Sequence, residues 1–331
     1  MWRRRWYARD PSRHARLSRP VVSVGNLRAG GSGKTPLVHY VARLLLARGE
    51  RPAILTRGYA RRTNTPGVTI VSDGTAVLAT LDTAGDEPLM LARALAGVPV
   101  LVGANRHASG LVAEARFGAT VHILDDGFQH LALARDVDLL LVSEDDLADR
   151  VLPAGRLREP LAAAAAADAL IVSSGGNVDA DVERVRRALG VSTAFMLRRT
   201  IGALRRVTAV PGGPDLPALP APVFAVAAVA RPERFFGDLA AAGRPIAGTM
   251  VFADHHLFTA ADTARIASAA RAAGAATIVT TEKDAVRLEG RSLAGLALYA
   301  VPLSVSVEPA DQFAAWLFAR LQPTGTQHPK E

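Results

Sequence analysis

The chain has no cysteine in 331 residues. Disulfides, a thiol nucleophile and thiolate metal sites are therefore excluded, a composition that suits a reducing compartment. Aromatic residues make up only 5%. With alanine-rich stretches and arginine in preference to lysine, this reads as the imprint of a GC-rich genome more than a physical adaptation. No apolar run approaches the roughly 18 residues needed to cross a bilayer, so no segment is expected to span a membrane. No apolar stretch follows the arginines at the start of the chain, so that segment does not read as a secretory signal. What is left is an ordinary globular balance, 49% hydrophobic and 21% charged, in a length that suits about two domains.

The net charge is +8, and its location matters more than its size. Residues 1–19 hold seven arginines against a single acid, Asp10, which leaves only about +2 for the rest of the chain. Trp2, Trp6 and Tyr7 are interleaved with these arginines. Rings at headgroup level and cations against anionic lipid would make residues 1–19 a basic membrane-interface segment. A solvated basic tail or a nucleic-acid arm has the same composition.

From Pro20 onward, short apolar runs alternate with helical spacing. Strands are expected at Pro20–Gly25, Pro52–Thr56, Val98–Val102, Val121–Leu124, Val137–Val142 and Ala169–Ser173. Between them, Thr35–Arg48 places Val38, Val41, Leu44 and Leu45 on one helical face before Gly49, and Pro88–Ala96 reads as a second helix. The alternation predicts an α/β fold, a P-loop kinase-type parallel sheet with helices on both faces over residues 20–193. Ala194–Val210 alternates as a two-stranded ribbon would, and residues 211–222, with five prolines and two glycines, read as a linker. Strand and helix signals then resume, so 223–322 is expected to form a second, smaller α/β domain, with a disordered tail over 323–331.

One motif carries chemistry. Arg28-Ala29-Gly30-Gly31-Ser32-Gly33-Lys34-Thr35 follows a predicted strand and opens a predicted helix, the context of a phosphate-binding loop. Its glycines let backbone N–H groups face a phosphate at the positive end of a helix, Lys34 would reach the β- and γ-phosphates, and the Thr35 hydroxyl would hold Mg²⁺. The first position is Arg28 where the common pattern has glycine. Such a loop needs a carboxylate from a neighbouring strand end, and Asp125 with Asp126 supplies it. A turn or cap after a strand is the plain alternative. No Asn-Lys-x-Asp guanine-reading string occurs, the nearest being Thr281–Asp284, so ATP is favoured over GTP.

Several strings now stand together: PVVSVGNLRAGGSGKTP (20–36), TRGY (56–59), GDEP (85–88), DDGFQH (125–130), LPAGRLREPL (152–161), FADHH (252–256) and TTEKD (280–284). Over about residues 20–290 their identity and order resemble the tetraacyldisaccharide 4′-kinase family, the lipid A 4′-kinases of Gram-negative bacteria. The resemblance implies transfer of the ATP γ-phosphate, with Mg²⁺, to the 4′-hydroxyl of an acylated glucosamine disaccharide 1-phosphate, giving lipid IVA. It implies a peripheral enzyme on the anionic cytoplasmic face of the inner membrane, and the chain is expected to be a monomer. Asp86 matches the family's catalytic base, and an N-cap is its plain alternative, since Asp-Glu-Pro suits a helix start. A histidine of FADHH, His255 or His256, matches the partner of that base; His255 is the one taken forward. Glu87, Asp125, Asp126 and Glu159, with Thr35, resemble the Mg²⁺ shell. Arg106, His130 and Arg158 resemble the substrate- and phosphate-contacting set. The family usually carries a longer, apolar segment before this first strand. Either docking here leans more on charge or the start lies upstream. The alternative class, a regulatory or nucleic-acid-associated P-loop NTPase, would need metal-binding Cys/His clusters or a basic stripe across the domains. The chain has no cysteine, and its charge is concentrated in the first nineteen residues, so no nucleic-acid partner is expected.

Overall fold

A computed structural model describes residues 2–30, 33–59, 61–63, 66–173, 178–208 and 222–322. A short helix, α1 (Trp2–Ala8), precedes β1 (Val21–Asn26), α2 (Lys34–Ala47), β2 (Pro52–Thr56) and β3 (Thr69–Asp73). The chain continues through α3 (Leu81–Ala84), α4 (Asp86–Ala94), β4 (Pro99–Val102), α5 (Arg106–Phe117), β5 (Val121–Asp125) and β6 (Val137–Ser143). Then come β7 (Ala169–Ser173), α6 (Val178–Leu189), β8 (Ala194–Ile201), β9 (Arg205–Thr208), β10 (Val223–Ala227), α7 (Pro232–Ala241) and β11 (Ile246–Val251). The last elements are α8 (Ala260–Ala272), β12 (Thr277–Thr281), α9 (Glu282–Leu288), β13 (Ala297–Val301), β14 (Leu303–Glu308) and α10 (Ala310–Leu321). Among the described residues no helix is long and apolar enough to cross a membrane.

Nine strands form one sheet in the order β14-β8-β7-β6-β1-β5-β2-β4-β3, parallel except at its two edges, β14 and β3. Beyond β1 the chain first builds toward β2 and then, from β5 to β6, crosses to the other side. The carboxyl end of β1 is therefore a topological switch point, where open α/β sheets bind ligands. The central strands are buried on both faces, which is why they read as continuous apolar runs. Leu37, Val38, Val41, Ala42 and Leu45 of α2 are fully buried on one face of the sheet. Leu17, from the segment before β1, and Ala113 of α5 cover the other.

The remaining five strands form a second sheet, β11-β10-β12-β13-β9, parallel but for its edge β9. Its core is Phe224, Val226, Ile266, Ile278 and Leu298. The two-stranded ribbon expected over 194–210 does not form. β8 extends the large sheet beside β7, whereas β9 pairs with β13 of the small one. Alternation specifies a half-buried strand but not its partner, and the partner is set by tertiary contacts. Most of the Pro-rich stretch 211–222, and all of 323–331, lie outside the described residues.

The end of the expected second domain also belongs elsewhere. β14 pairs antiparallel with β8, and α10 packs Phe313 and Leu317 into the core beneath α2. Phe313 is fully buried with its ring 5.1 Å from that of Phe195, and truncating such a side chain typically costs about 3–5 kcal/mol. The two lobes meet where α9 lies on α4. Val286 joins the large core, and Arg93 pairs with Glu289 at 2.7 Å. This junction sets the start of α4, and hence Asp86, against residues of the second lobe.

Candidate active site

The phosphate loop begins where β1 ends. Gly25 is buried there, and a Cβ on it would lie 2.4 Å from the Phe128 Cβ and 2.7 Å from its backbone nitrogen. Only glycine lets the strand end approach the 126–128 turn so closely. Gly30 and Gly33 adopt left-handed φ of 89° and 88°. Gly31 and Ser32 lie outside the described residues. Lys34 and Thr35 open α2, with Thr35 buried. The Lys34 ammonium donates to Asn26 Oδ1 at 3.1 Å and sits 3.3 Å from Asp126 Oδ1. The Arg28 side chain, expected in the nucleotide site, is engaged by two acids behind the loop. It is buried against Asp146 and Asp149, each at 2.9 Å. The backbone contributes to the loop instead: Arg158 Nε donates to the Arg28 carbonyl, and Ala29 N–H donates to the Arg156 carbonyl.

Beside this loop lies an acid cluster. Asp126 adopts a left-handed φ of 54°. It receives both Nη groups of Arg158, at 2.8 and 3.0 Å. Burial pushes its pKa up, but Lys34 and Arg158 outweigh that and hold the carboxylate below its usual range. Asp125, at the end of β5, is buried and accepts from Thr56 Oγ at 3.2 Å, while its Oδ1 has no hydrogen-bond partner. Burial, then the negative charges of Glu87 and Asp126, push its pKa up to about 7. A carboxylate oxygen left without a donor, next to two further acids, fits a cation. Among the described residues no three His, Asp or Glu side chains converge as a self-sufficient metal cage. An ion here would need oxygens other than protein carboxylates, as Mg²⁺ on phosphates normally has.

Arg106 begins α5 behind an Asn105 cap and is brought to the same cluster. Its guanidinium donates to the Gly103 and Ala104 carbonyls. Its pKa falls to about 10 through burial and the nearby Arg57, with Asp125 and Asp126 opposing. Glu159, expected in the metal shell, is instead held by Arg4 of α1 at 2.8 Å and by Gln129 at 3.3 Å. The guanidinium of Arg4 also lies over the Phe128 ring. His130 enters through its backbone, donating to Gly127 and accepting from Arg135.

The second lobe meets this edge of the first at Asp86. Asp86, the first residue of α4, is 3% exposed, and its Oδ1 accepts the Glu87 N–H at 2.8 Å. Its Oδ2 is 3.1 Å from His255 Nδ1 and is ion-paired to Arg287 of α9. His255 sits at a left-handed φ of 61° with its ring edge-on to Tyr59. Burial, then the Lys283 ammonium, holds its pKa below the usual histidine value. His256 points elsewhere, bonding Asp262 at 2.9 Å and stacking on Phe252. Of the two adjacent histidines, only His255 meets Asp86. Asn26, Lys283 and Arg287 were missed by sequence reasoning. The strings SVGN and TTEKD contain the first two, yet neither is a motif whose chemistry is self-evident without the partner brought by the fold.

The family model for tetraacyldisaccharide-1-P 4′-kinase matches residues 1–322. A tetraacyldisaccharide 4′-kinase of Geobacter metallireducens is 42% identical over 298 residues, covering 88% of this chain and 85% of that one. One from Desulfotalea psychrophila is 40% identical over 292 residues, covering 86% and 82%. The crystal structure of the "apo" form of LpxK from Aquifex aeolicus in complex with ATP matches with a TM-score of 0.75 and 32% identity, over 97% of this chain and 94% of that one. Family model, sequence relatives and fold agree along nearly the full length, and the chain belongs to the tetraacyldisaccharide 4′-kinase family.

Proposed function

We propose that this chain phosphorylates the 4′-hydroxyl of a tetraacyldisaccharide 1-phosphate in lipid A biosynthesis, with ATP held on the β1–α2 loop and Asp86 as the general base. The observation that carries the reading is the placement of Asp86. It is a buried carboxylate in contact with His255, reached from the second lobe, on the same edge of the molecule as Lys34 and the acid cluster. In the reaction the 4′-oxygen forms a bond to the γ-phosphorus as the bond from that phosphorus to the β–γ bridging oxygen breaks. The hydroxyl proton passes to Asp86. Lys34 and Arg106 supply fixed positive charge for the oxygens on which negative charge develops. The Aquifex aeolicus relative was crystallised with ATP, which supports the same donor here.

Asp125, with Asp126, Glu87 and the Thr35 hydroxyl, would hold Mg²⁺. That ion, when bound, neutralises phosphate charge and orients the triphosphate. Glu159 is assigned to anchoring α1 through Arg4 rather than to the ion. Trp6 of α1 is 40% exposed, and Arg13 lies over its ring. We place this aromatic–basic face against the anionic cytoplasmic surface of the inner membrane, where the lipid substrate is held. Both lobes of the site come from one polypeptide, so a monomer suffices.

The test of the activity is a mass measurement on purified tetraacyldisaccharide 1-phosphate after incubation with ATP and the enzyme. Gain of one phosphate on the lipid is expected. ATP consumption that leaves the lipid unmodified, or that responds to nucleic acid instead, would end this reading.

The acid cluster makes a prediction of its own. In the unfolded chain Asp125 ionises in the ordinary carboxylate range, but burial and the neighbouring acids let it hold its proton up to about 7 in the fold. The stability present while it is protonated is therefore lost as pH rises from about 4 to about 7, unless a cation compensates. In magnesium-free buffer at pH 8, Asp125→Asn is expected to raise stability by on the order of 2 kcal/mol, about 3 °C in Tm, while lowering kcat by about 10²-fold or more. Thermal unfolding at pH 6 and 8, with and without Mg²⁺, checks it. Wild type gains more from the ion at pH 8, and an Asn variant stabilised equally by Mg²⁺ would show that Asp125 is not its ligand.

A further inference from the structure

Helix α9 brings Lys283 and Asp284 of its first turn and Arg287 of its last against the Asp86–His255 pair. The Lys283 ammonium, 13% exposed, lies 3.0 Å from Glu87 Oε1, 3.3 Å from Asp254 Oδ1 and 3.1 Å from His255 Nε2. An ammonium has three protons to donate and no lone pair. Two of those protons have carboxylate acceptors, and the third faces His255 Nε2. That nitrogen therefore presents its lone pair, and the ring proton of a neutral His255 sits on Nδ1, facing Asp86 Oδ2 at 3.1 Å. Arg287 Nη2, a donor only, is also 3.2 Å from Nδ1, so the two cations compete for the ring's one lone pair, and the Asp86 acceptor beside Nδ1 favours the proton there. The two donors share the Asp86 oxygen. Arg287 is fixed in turn by Asp284, which accepts from the Ala228 N–H and the Thr281 hydroxyl. With the Lys283 ammonium 3.1 Å from Nε2, a second positive charge on His255 is opposed.

We propose that Lys283 is a positioning residue for phosphoryl transfer, its ammonium holding His255 as the neutral tautomer protonated on Nδ1 so that this N–H aims and steadies the Asp86 carboxylate. The proposal rests on Asp86 being the base. It also ties the base to the acid cluster, because the same ammonium holds Glu87, the residue after Asp86. Without that contact the ring is free to move its proton to Nε2, and Asp86 then faces a lone pair instead of a donor. A wrong tautomer beside a catalytic carboxylate is costly in other sites that rely on the same pairing.

The test uses full-length enzyme with ¹⁵N-labelled histidine, the His255 ring signals being assigned by their loss in His255→Gln. In wild type a protonated Nδ1 and a bare Nε2 are expected. In Lys283→Met the proton is expected to shift toward Nε2, and kcat to fall about 10-fold or more with KM for ATP little changed. Lys283→Arg, which keeps a donor toward Nε2, should recover most of that loss. A wild-type ring protonated on Nε2 overturns the proposal even if no variant folds. So does a Lys283→Met enzyme with wild-type ring shifts and kcat alongside an inactive Asp86→Asn, an outcome that leaves the base assignment standing. Wild-type turnover by Asp86→Asn would sink the base, and with it the role given to Lys283.

Discussion

Lys34→Ala is expected to lower kcat by about 10³-fold or more while leaving the fold intact. The lysine opens α2 at the end of the phosphate loop, and its ammonium is poised between Asn26 and Asp126. Its chemistry is that of a point charge on phosphate oxygens, and no neighbour can take that place. Arg158 is already committed to Asp126, Asn26 and Gln129. The same network explains why folding should survive. With Lys34 gone, Asp126 keeps both bonds from Arg158, so that carboxylate is not left without a counter-ion. Circular dichroism and urea unfolding would separate the two effects. A Lys34→Ala enzyme that phosphorylates lipid at the wild-type rate would remove the nucleotide from this loop altogether.

Asp86→Asn carries the second large effect, a fall in kcat of about 10²-fold or more with KM for ATP little changed. The amide is nearly isosteric, and its one oxygen can still accept either the Glu87 N–H or the donors of His255 and Arg287. What it cannot do is take up a proton from the sugar hydroxyl. Arg287 loses a charged partner but keeps Asp284 at 3.0 Å, so the guanidinium is not stranded. Steady-state kinetics on the acylated disaccharide, run beside thermal unfolding, checks both halves. Unchanged turnover would leave Asp86 as the start of α4 and nothing more.

The site was partly legible before the fold because its local parts are set by local chemistry. A glycine-rich turn between an apolar run and a helix has few backbone solutions, and left-handed Gly30 and Gly33 adopt the expected one. Strand ends such as Asp125 are marked by the end of an apolar run. His255 was less legible. Its neighbour His256 has the same chemistry, and the difference between them is a backbone turn at φ 61° that points one ring at Asp86 and the other at Asp262. Arg28 and Glu159 misled for the same reason. A charged side chain near a phosphate loop can face the ligand or brace the loop. Which one it does depends on partners more than a hundred residues away, Asp146 and Asp149 for the first and Arg4 for the second.

By itself the sequence determined the parallel core strands, the phosphate loop and the pair of strand-end acids, since apolar runs, glycine conformational freedom and short-range spacing are properties of neighbouring residues. Only the tertiary structure decided that β8 and β9 part into different sheets, that β14 and α10 return to the first, and that α9 meets α4. Strand partnership and the aim of a buried charge depend on which distant surfaces exclude water together, and no local pattern encodes that.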